Sequence, residues 1–231
     1  MAKVIIFGLN DFAELAHYYL CTDSEHEVVA FSVSEKYIPE IKEFKGLPIV
    51  SFEDVENIYP PGDYNFFAPM DAKKMNSLRE DIYNKIKFKG YTCISYINST
   101  SIISNGKIGE NCFILENNIL QPFTNIGNNV VMWAGNHIGH HGEVKDNVMF
   151  TSHVVMSGHC LIEAYSYLGV NSTIRNGVII AEGTFVAMGS NIIHDTEPGA
   201  YIWATQEKKD RNRVKIHSEN EINKKWIDIF C

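Results

Sequence analysis

The chain of 231 residues is poor in the features that usually assign a sequence by composition. Basic residues are not in excess: 20 lysines and arginines against 28 acids leave a net charge of −8, with no basic stripe to offset it. That balance argues against a nucleic-acid backbone as the main partner. The cationic run from Lys208 to Lys215 is short and reads as a solvated tail. No apolar stretch approaches the ~20 residues of a membrane span, and the opening MAKVIIFG is too short and too strand-like for a signal peptide. The five cysteines are odd in number and have no CxxC spacing, against both a disulfide framework and a structural zinc site. The expectation is a cytoplasmic protein with no nucleic-acid partner and no membrane span.

What is present is a period of six. From Ile102 to Ile192 every sixth residue is aliphatic, Met or Phe, through Ile108, Ile114, Leu120, Ile126, Met132, Ile138, Val144, Phe150 and onward. Four residues after each lies a second, small column that includes Cys112, Val130, Gly142, Val148, Cys160 and Ser172, with Asn118 and Asn136 as polar exceptions. Six matches neither the helical nor the strand period and signals a parallel β-helix, in which three hexapeptides make one triangular coil. The large residue is expected inside the prism and the small one at a tight corner. Cys112 and Cys160 are therefore read as small buried hydrophobes. Residues eighteen apart become stacked neighbours at about 4.8 Å.

Residues 1–97 have a different texture. Strands are expected at Lys3 to Phe7, Val28 to Val33, Leu47 to Val50, Tyr64 to Ala68 and Thr92 to Ile97. Helices are expected after Asn10, around Asp54 to Ile58 and over Lys73 to Phe88. Alternation of this kind predicts a small parallel, Rossmann-like α/β sheet. The chain thus divides into an α/β domain at 1–97, a β-helix at 98–204 and a tail at 205–231 with a helix starting from a capping box of Ser218 and Glu221. Between the first strand and helix, Gly8, Asn10 and Ala13 occupy the place of a dinucleotide fingerprint, but Asn replaces the second glycine and Ser32 or Ser34 replaces the acid after the second strand. NAD is not expected. A helix N-terminus after Gly8 can still hold a phosphate or polar ring, so Gly8, Asn10 and Ser32 are candidate substrate-binding residues. The plain alternative is a tight strand-to-helix turn.

Six of the nine histidines lie in the repeats, at 137, 140, 141, 153, 159 and 194. His140 is at the third position of its hexapeptide, and His141, His153 and His159 are at the fourth, away from both inward columns. His141 and His159, eighteen apart, share an edge, whereas His153 lies on another edge and reaches them only through a neighbouring subunit. An outward imidazole in a groove is a candidate general base, set against a purely structural or interface role. The spacing of His137, His140 and His141 has the look of a metal motif, but these side chains are expected to diverge around a corner, and no metal is expected.

With these features the chain resembles the hexapeptide-repeat sugar acyltransferases, in the branch of the sialic acid O-acetyltransferases and bacillosamine-pathway N-acetyltransferases. The resemblance implies a left-handed β-helix, a homotrimer, acetyl-CoA in the groove between adjacent β-helices and a nucleotide-linked sugar on the N-terminal domain. It implies acyl transfer in surface-polysaccharide or glycan biosynthesis, to an amino sugar first and to a sugar hydroxyl as the alternative. The segment Ile138-Gly139-His140-His141 matches the family's catalytic stretch, which makes His140 the base, while His141 stands where the family has an acid. Glu143, a neighbouring subunit or His141 itself would then orient it. The resemblance also points to Gly158, Val170 and Gly189 as cofactor lining, with a backbone amide near Gly158 for the oxyanion. A non-catalytic sugar-binding scaffold is the rival reading.

Overall fold

The structure, a computed structural model, describes residues 1–203. The expected C-terminal helix from Ser218 lies outside the described residues. The N-terminal part contains β1 (Lys3–Phe7), α1 (Asp11–Thr22), β2 (Glu27–Val33), β3 (Glu43–Phe44), β4 (Leu47–Ser51), α2 (Val55–Ile58), β5 (Asn65–Phe67) and α3 (Ser77–Phe88). Its sheet runs β3-β4-β2-β1-β5, parallel except for β3. Strand β3 is not evident in the sequence pattern. It forms because Lys45 (φ 52°) and Gly46 (φ 77°) supply the two left-handed residues of a tight hairpin.

Helix α1 begins as expected: the Asn10 side chain accepts the Ala13 amide at 3.3 Å, and Ala13, Ala16 and Leu20 form the buried face. Helix α3 starts at Ser77, later than the Lys73 expected, because Lys74, Met75 and Asn76 are all left-handed. The buried Asn76 amide donates to the carbonyl of Tyr165 in the coil at 3.1 Å, so a tertiary bond overrides local helix propensity.

The repeats form a left-handed parallel β-helix with three faces. Face one carries the strands at Tyr96–Ile97, Phe113–Ile114, Val131–Met132, Met149–Phe150, Tyr167–Leu168, Phe185–Val186 and Tyr201–Ile202. Face two runs from Ile102–Ile103 through His137–Ile138 and Val155–Met156 to Asn191–Ile192, and face three from Lys107–Ile108 through Glu143–Val144 to Ile179–Ile180. The stretch expected as one strand from Thr92 to Ile97 is divided. Cys93 bridges to Phe66 of β5, while Tyr96–Ile97 already pairs with Phe113–Ile114 in the coil.

The large column is buried from Ile114 to Ile192, each side chain contributing roughly 1.5–3 kcal/mol on leaving water. Its first member departs from expectation. Ile102 is 61% exposed, and Ile103 faces the core instead, since the first coil pairs Ile103 with Leu120 at a spacing of seventeen. The two polar exceptions in the small column explain each other. Asn118 and Asn136 are stacked one coil apart, and the Asn136 amide donates to Asn118 Oδ1 at 2.8 Å inside the corner. Cys112 and Cys160 are buried as expected, and burial pushes the Cys112 thiol up to about 11.

Face one is covered by the α/β sheet: Val4, Ile6, Phe31 and Phe67 share an apolar cluster with Phe113, Leu115, Val131 and Met149. Arg79 of α3 fastens the same contact. Fully buried, it donates to the carbonyls of Asn129 (3.1 Å), Asn147 (3.1 Å) and Val148 (3.3 Å) on the coil, and to those of Met70 and Asp71 on its own side. Burial lowers its pKa to about 10, which leaves it charged at neutral pH.

Candidate functional site

At the corner between faces two and three, one outward column is made of fourth-position residues: Phe123 (φ 66°), His141 (φ 54°), His159 (φ 57°) and Gly177 (φ 76°). The left-handed turn swings each side chain outward, and the coil repeat stacks them. The rings of His141 and His159 are nearly parallel, 14° apart with centroids 4.9 Å apart, matching the coil spacing of about 4.8 Å. Phe123 lies below His141 at 4.7 Å.

His140 is at the third position, and its ring crosses both neighbours nearly at right angles, 5.3 Å from His141 and 4.9 Å from His159. Gly158, one coil on, makes this possible: a Cβ there would come within 2.8 Å of His140 Cε1 and Nε2. The backbone is fixed as well, with the His140 amide donating to Gln121 Oε1 at 3.0 Å and its carbonyl accepting the His159 amide at 2.9 Å.

The imidazoles therefore converge. His140 Nδ1 and His141 Nδ1 are 3.1 Å apart, a hydrogen bond in which one ring donates and the other accepts. The divergence expected of His137, His140 and His141 holds only for His137, which sits on face two; one ring nitrogen from each of His140, His141 and His159 lies within 4.8 Å of the others. With His140 Nδ1–H as the donor, its Nε2 keeps a lone pair facing Gly158, the arrangement a general base requires. Glu143, the acid nearest in sequence, makes no hydrogen bond to the histidines among the described residues; its carboxylate pairs with Lys145 on face three. Gln121, Phe123 and Asn176 were missed by sequence reasoning. Eighteen-residue stacking finds Phe123 below His141 and Asn176 above Gly158, where Asn176 Oδ1 would lie 3.2 Å from an added Cβ.

The remaining candidates lie along another edge. Val170 and Gly189 are at the corner between faces one and two, as is His153, whose ring packs over Gly135. Gly158 is on the histidine corner, so the three expected cofactor residues do not share a groove within one chain. The Gly8 turn belongs to the one–two edge: Phe12, in the first turn of α1, packs edge-on against Trp133 at 5.6 Å. There Gly8 (φ 111°) donates its amide to the Ser32 carbonyl at 2.9 Å, and the buried Ser32 hydroxyl has no partner among the described residues. Asn10 is committed to its cap.

No protein-family model matches the chain. A variant of perosamine N-acetyltransferase from Caulobacter crescentus, in complex with CoA and GDP-perosamine, superposes with a TM-score of 0.79 at 16% identity, covering 95% of this chain and 98% of that one. The acetyltransferase domain of PglB from Neisseria gonorrhoeae gives 0.74 at 15% identity, covering 87% and 96%. This is the fold of acetyltransferases that use coenzyme A. WeeI from Acinetobacter baumannii shares it, with a TM-score of 0.68 at 19% identity over 94% of this chain and 100% of that one. In sequence, an acyl-[acyl-carrier-protein]–UDP-N-acetylglucosamine O-acyltransferase from Sinorhizobium fredii is 26% identical over 98 residues, 39% of this chain and 36% of that relative's length. The match thus spans about a third of the relative. Among the described residues, no helix is long and apolar enough to cross a membrane.

Proposed function

We infer that this chain is an acetyl-CoA-dependent N-acetyltransferase acting on a nucleotide-linked amino sugar, with His140 as general base. The observation that carries the reading is the His140 imidazole, held by His141 on one side and lying against the absent side chain of Gly158 on the other, in a fold shared with CoA-bound acetyltransferases. His140 Nε2 would take the amine proton as nitrogen attacks the thioester carbonyl; the carbonyl oxygen would gain negative charge, and collapse of the tetrahedral intermediate would expel the CoA thiolate. The amide of Gly158 donates to no acceptor among the described residues, which supports its role opposite the oxyanion.

Assembly follows from the divided site. A homotrimer with its axis parallel to the coil would place the histidine corner of one copy against the one–two corner of the next without shifting coil levels. His140 would then face the neighbour's Trp133 and Gly8 turn, where the acceptor would sit on Gly8 and Ser32. Beyond it, Gly158 would face the next copy's His153, with Val170 one coil and Gly189 two coils further along a groove long enough for an extended cofactor. Exposed Ile119 and Val155, on the face between the two corners, suit an intersubunit contact. The four free cysteines among the described residues agree with a reducing compartment, and hence the cytoplasm.

A hydroxyl acceptor is the second reading, favoured by the sequence match to an O-acyltransferase. A coenzyme A release assay over a panel of nucleotide-linked amino sugars, with products weighed by mass spectrometry, tests both. An acetyl group on nitrogen supports the first reading and an ester the second, while no release with any acceptor overturns acyl transfer. Sedimentation as a monomer at micromolar concentration would remove the intersubunit site.

A further inference from the structure

We propose that His140, His141 and His159 together bind a divalent transition-metal ion of the imidazole-preferring kind, with Zn²⁺ as the type, and that the ion switches the site off. The binding half rests on geometry alone; the inhibitory half rests on the function proposed above.

Each ring contributes one nitrogen, and these lie within 4.8 Å of one another on an exposed corner. A tetrahedral zinc with Zn–N bonds of about 2.0–2.1 Å sets its ligand nitrogens about 3.3 Å apart. His140 Nδ1 and His141 Nδ1 are already 3.1 Å apart. The third ligand needs a shift of about 1.5 Å, within what rotation of an exposed ring about its side-chain bonds supplies. All three come from one chain, and their backbone is held by the coil ladder: the His159 amide donates to the His140 carbonyl, and the His141 amide to the Pro122 carbonyl at 3.1 Å. The backbone of the site is therefore set before the ion arrives, and rotation of one exposed ring completes it. Three neutral imidazoles leave the fourth position open to water, and this donor set suits Zn²⁺, Ni²⁺ or Cu²⁺ over Mg²⁺ or Ca²⁺.

Binding and catalysis compete for the same nitrogens. The ion would take the Nδ1 lone pairs of His140 and His141, break the hydrogen bond that orients His140, and leave the proton of the neutral His140 ring on Nε2. With Nδ1 coordinated and Nε2 protonated, His140 has no lone pair left to take the proton of the acceptor amine. Metal is thus an inhibitor here and not a cofactor.

Co²⁺ is the direct probe, because its visible absorption reports a tetrahedral nitrogen site without any turnover. The full chain, freed of metal, is titrated with Co²⁺ and then with Zn²⁺ in competition, alongside His159→Phe, which keeps an aromatic ring on His141 and removes the ligand, and His153→Ala on the other edge. One equivalent per chain is expected in wild type and in His153→Ala, with affinity at least about tenfold weaker in His159→Phe. Absence of a tetrahedral spectrum in wild type, or unchanged affinity in His159→Phe, overturns the site. In the release assay, Zn²⁺ should inhibit wild type reversibly by chelator, and whatever turnover His159→Phe retains should be zinc-insensitive. Stoichiometric binding without inhibition overturns the switch. A chain that binds Co²⁺ but transfers no acyl group overturns the proposed function and leaves the metal site standing.

Discussion

At two corners of the same coil the fourth residue of each hexapeptide turns left-handed, and the side chains placed there have opposite fates. Between faces three and one the column is Asn111 (φ 56°), Asn129 (φ 58°) and Asn147 (φ 63°). All three are buried and bonded in a ladder, Asn111 to Asn129 at 2.8 Å and Asn129 to Asn147 at 2.7 Å, while Asn111 also holds the Ala68 backbone. Arg79 closes that edge by taking the carbonyls of Asn129 and Asn147. Between faces two and three the same backbone position presents Phe123, His141 and His159 to solvent. Asparagine tolerates the left-handed region and can satisfy a buried amide ladder. Histidine there forms no buried ladder: His141 and His159 stack on each other in solvent, and His141 bonds to His140.

The sharpest way to break this contrast is to remove one residue from each edge. His140→Ala should lower kcat by about 10²- to 10⁴-fold while the melting temperature and acetyl-CoA affinity stay near wild type. His141→Ala should cost less, since it orients the base. Equal, severe losses in both would indicate a two-histidine relay, and full turnover in His140→Ala would end the proposal that it is the base. Arg79→Met should do the reverse, destabilising the chain by about 3–5 kcal/mol in urea unfolding, because it strands buried carbonyls on both sides of the domain contact. Lysine should restore little, as its single ammonium cannot span a fork of five donors. An Arg79→Met protein of unchanged stability would show that the apolar face alone fastens the domains.

Gly158 refines the contrast within the histidine edge. Any Cβ at this position meets the His140 ring at 2.8 Å, so even Gly158→Ala should displace the base. Turnover should fall by about 10- to 100-fold, with the melting temperature nearly unchanged. Gly158→Trp should weaken acetyl-CoA binding as well. If Gly158→Ala retains full turnover, Nε2 does not work on that side of His140.

The fold was legible because two columns of a six-residue period constrain two positions in every hexapeptide from Ile108 to Ile192, and stacking at eighteen converts that period into faces. One deletion of register escaped it: Ile102 and Ile103 are both aliphatic, so the sequence pattern continues through a slip that the backbone does make. The left-handed run before Ser77 escaped because a tertiary bond outweighs propensity there, and the Lys45-Gly46 hairpin because its first strand is only two residues long. At the site, stacking paired His141 with His159 from sequence alone. The convergence of His140 with both was not legible, because it depends on the ring lying over Gly158, a contact between residues of different columns. Nor could sequence show that Glu143 is engaged by Lys145.

The mildest test concerns the seam between the two parts. Asp23, at the end of α1, accepts the Ser99 amide at 2.8 Å and the Tyr96 hydroxyl at 2.6 Å, joining the helix to the first coil. Hydrogen bonds from Ser99 and then Tyr96 hold its carboxyl below the ordinary 3.8. A carboxylate whose folded pKa is depressed contributes its full stabilisation above the unfolded value and loses it as pH falls through the folded one. Asp23→Asn should therefore lower the melting temperature slightly at neutral pH, and the gap to wild type should close only below about pH 3.8. The His140→Ala protein should follow the wild-type melting curve across the same range. A gap between wild type and Asp23→Asn that stays constant down to pH 3 would show that the carboxylate charge contributes nothing to the seam, leaving its stability to Arg79 and the apolar face.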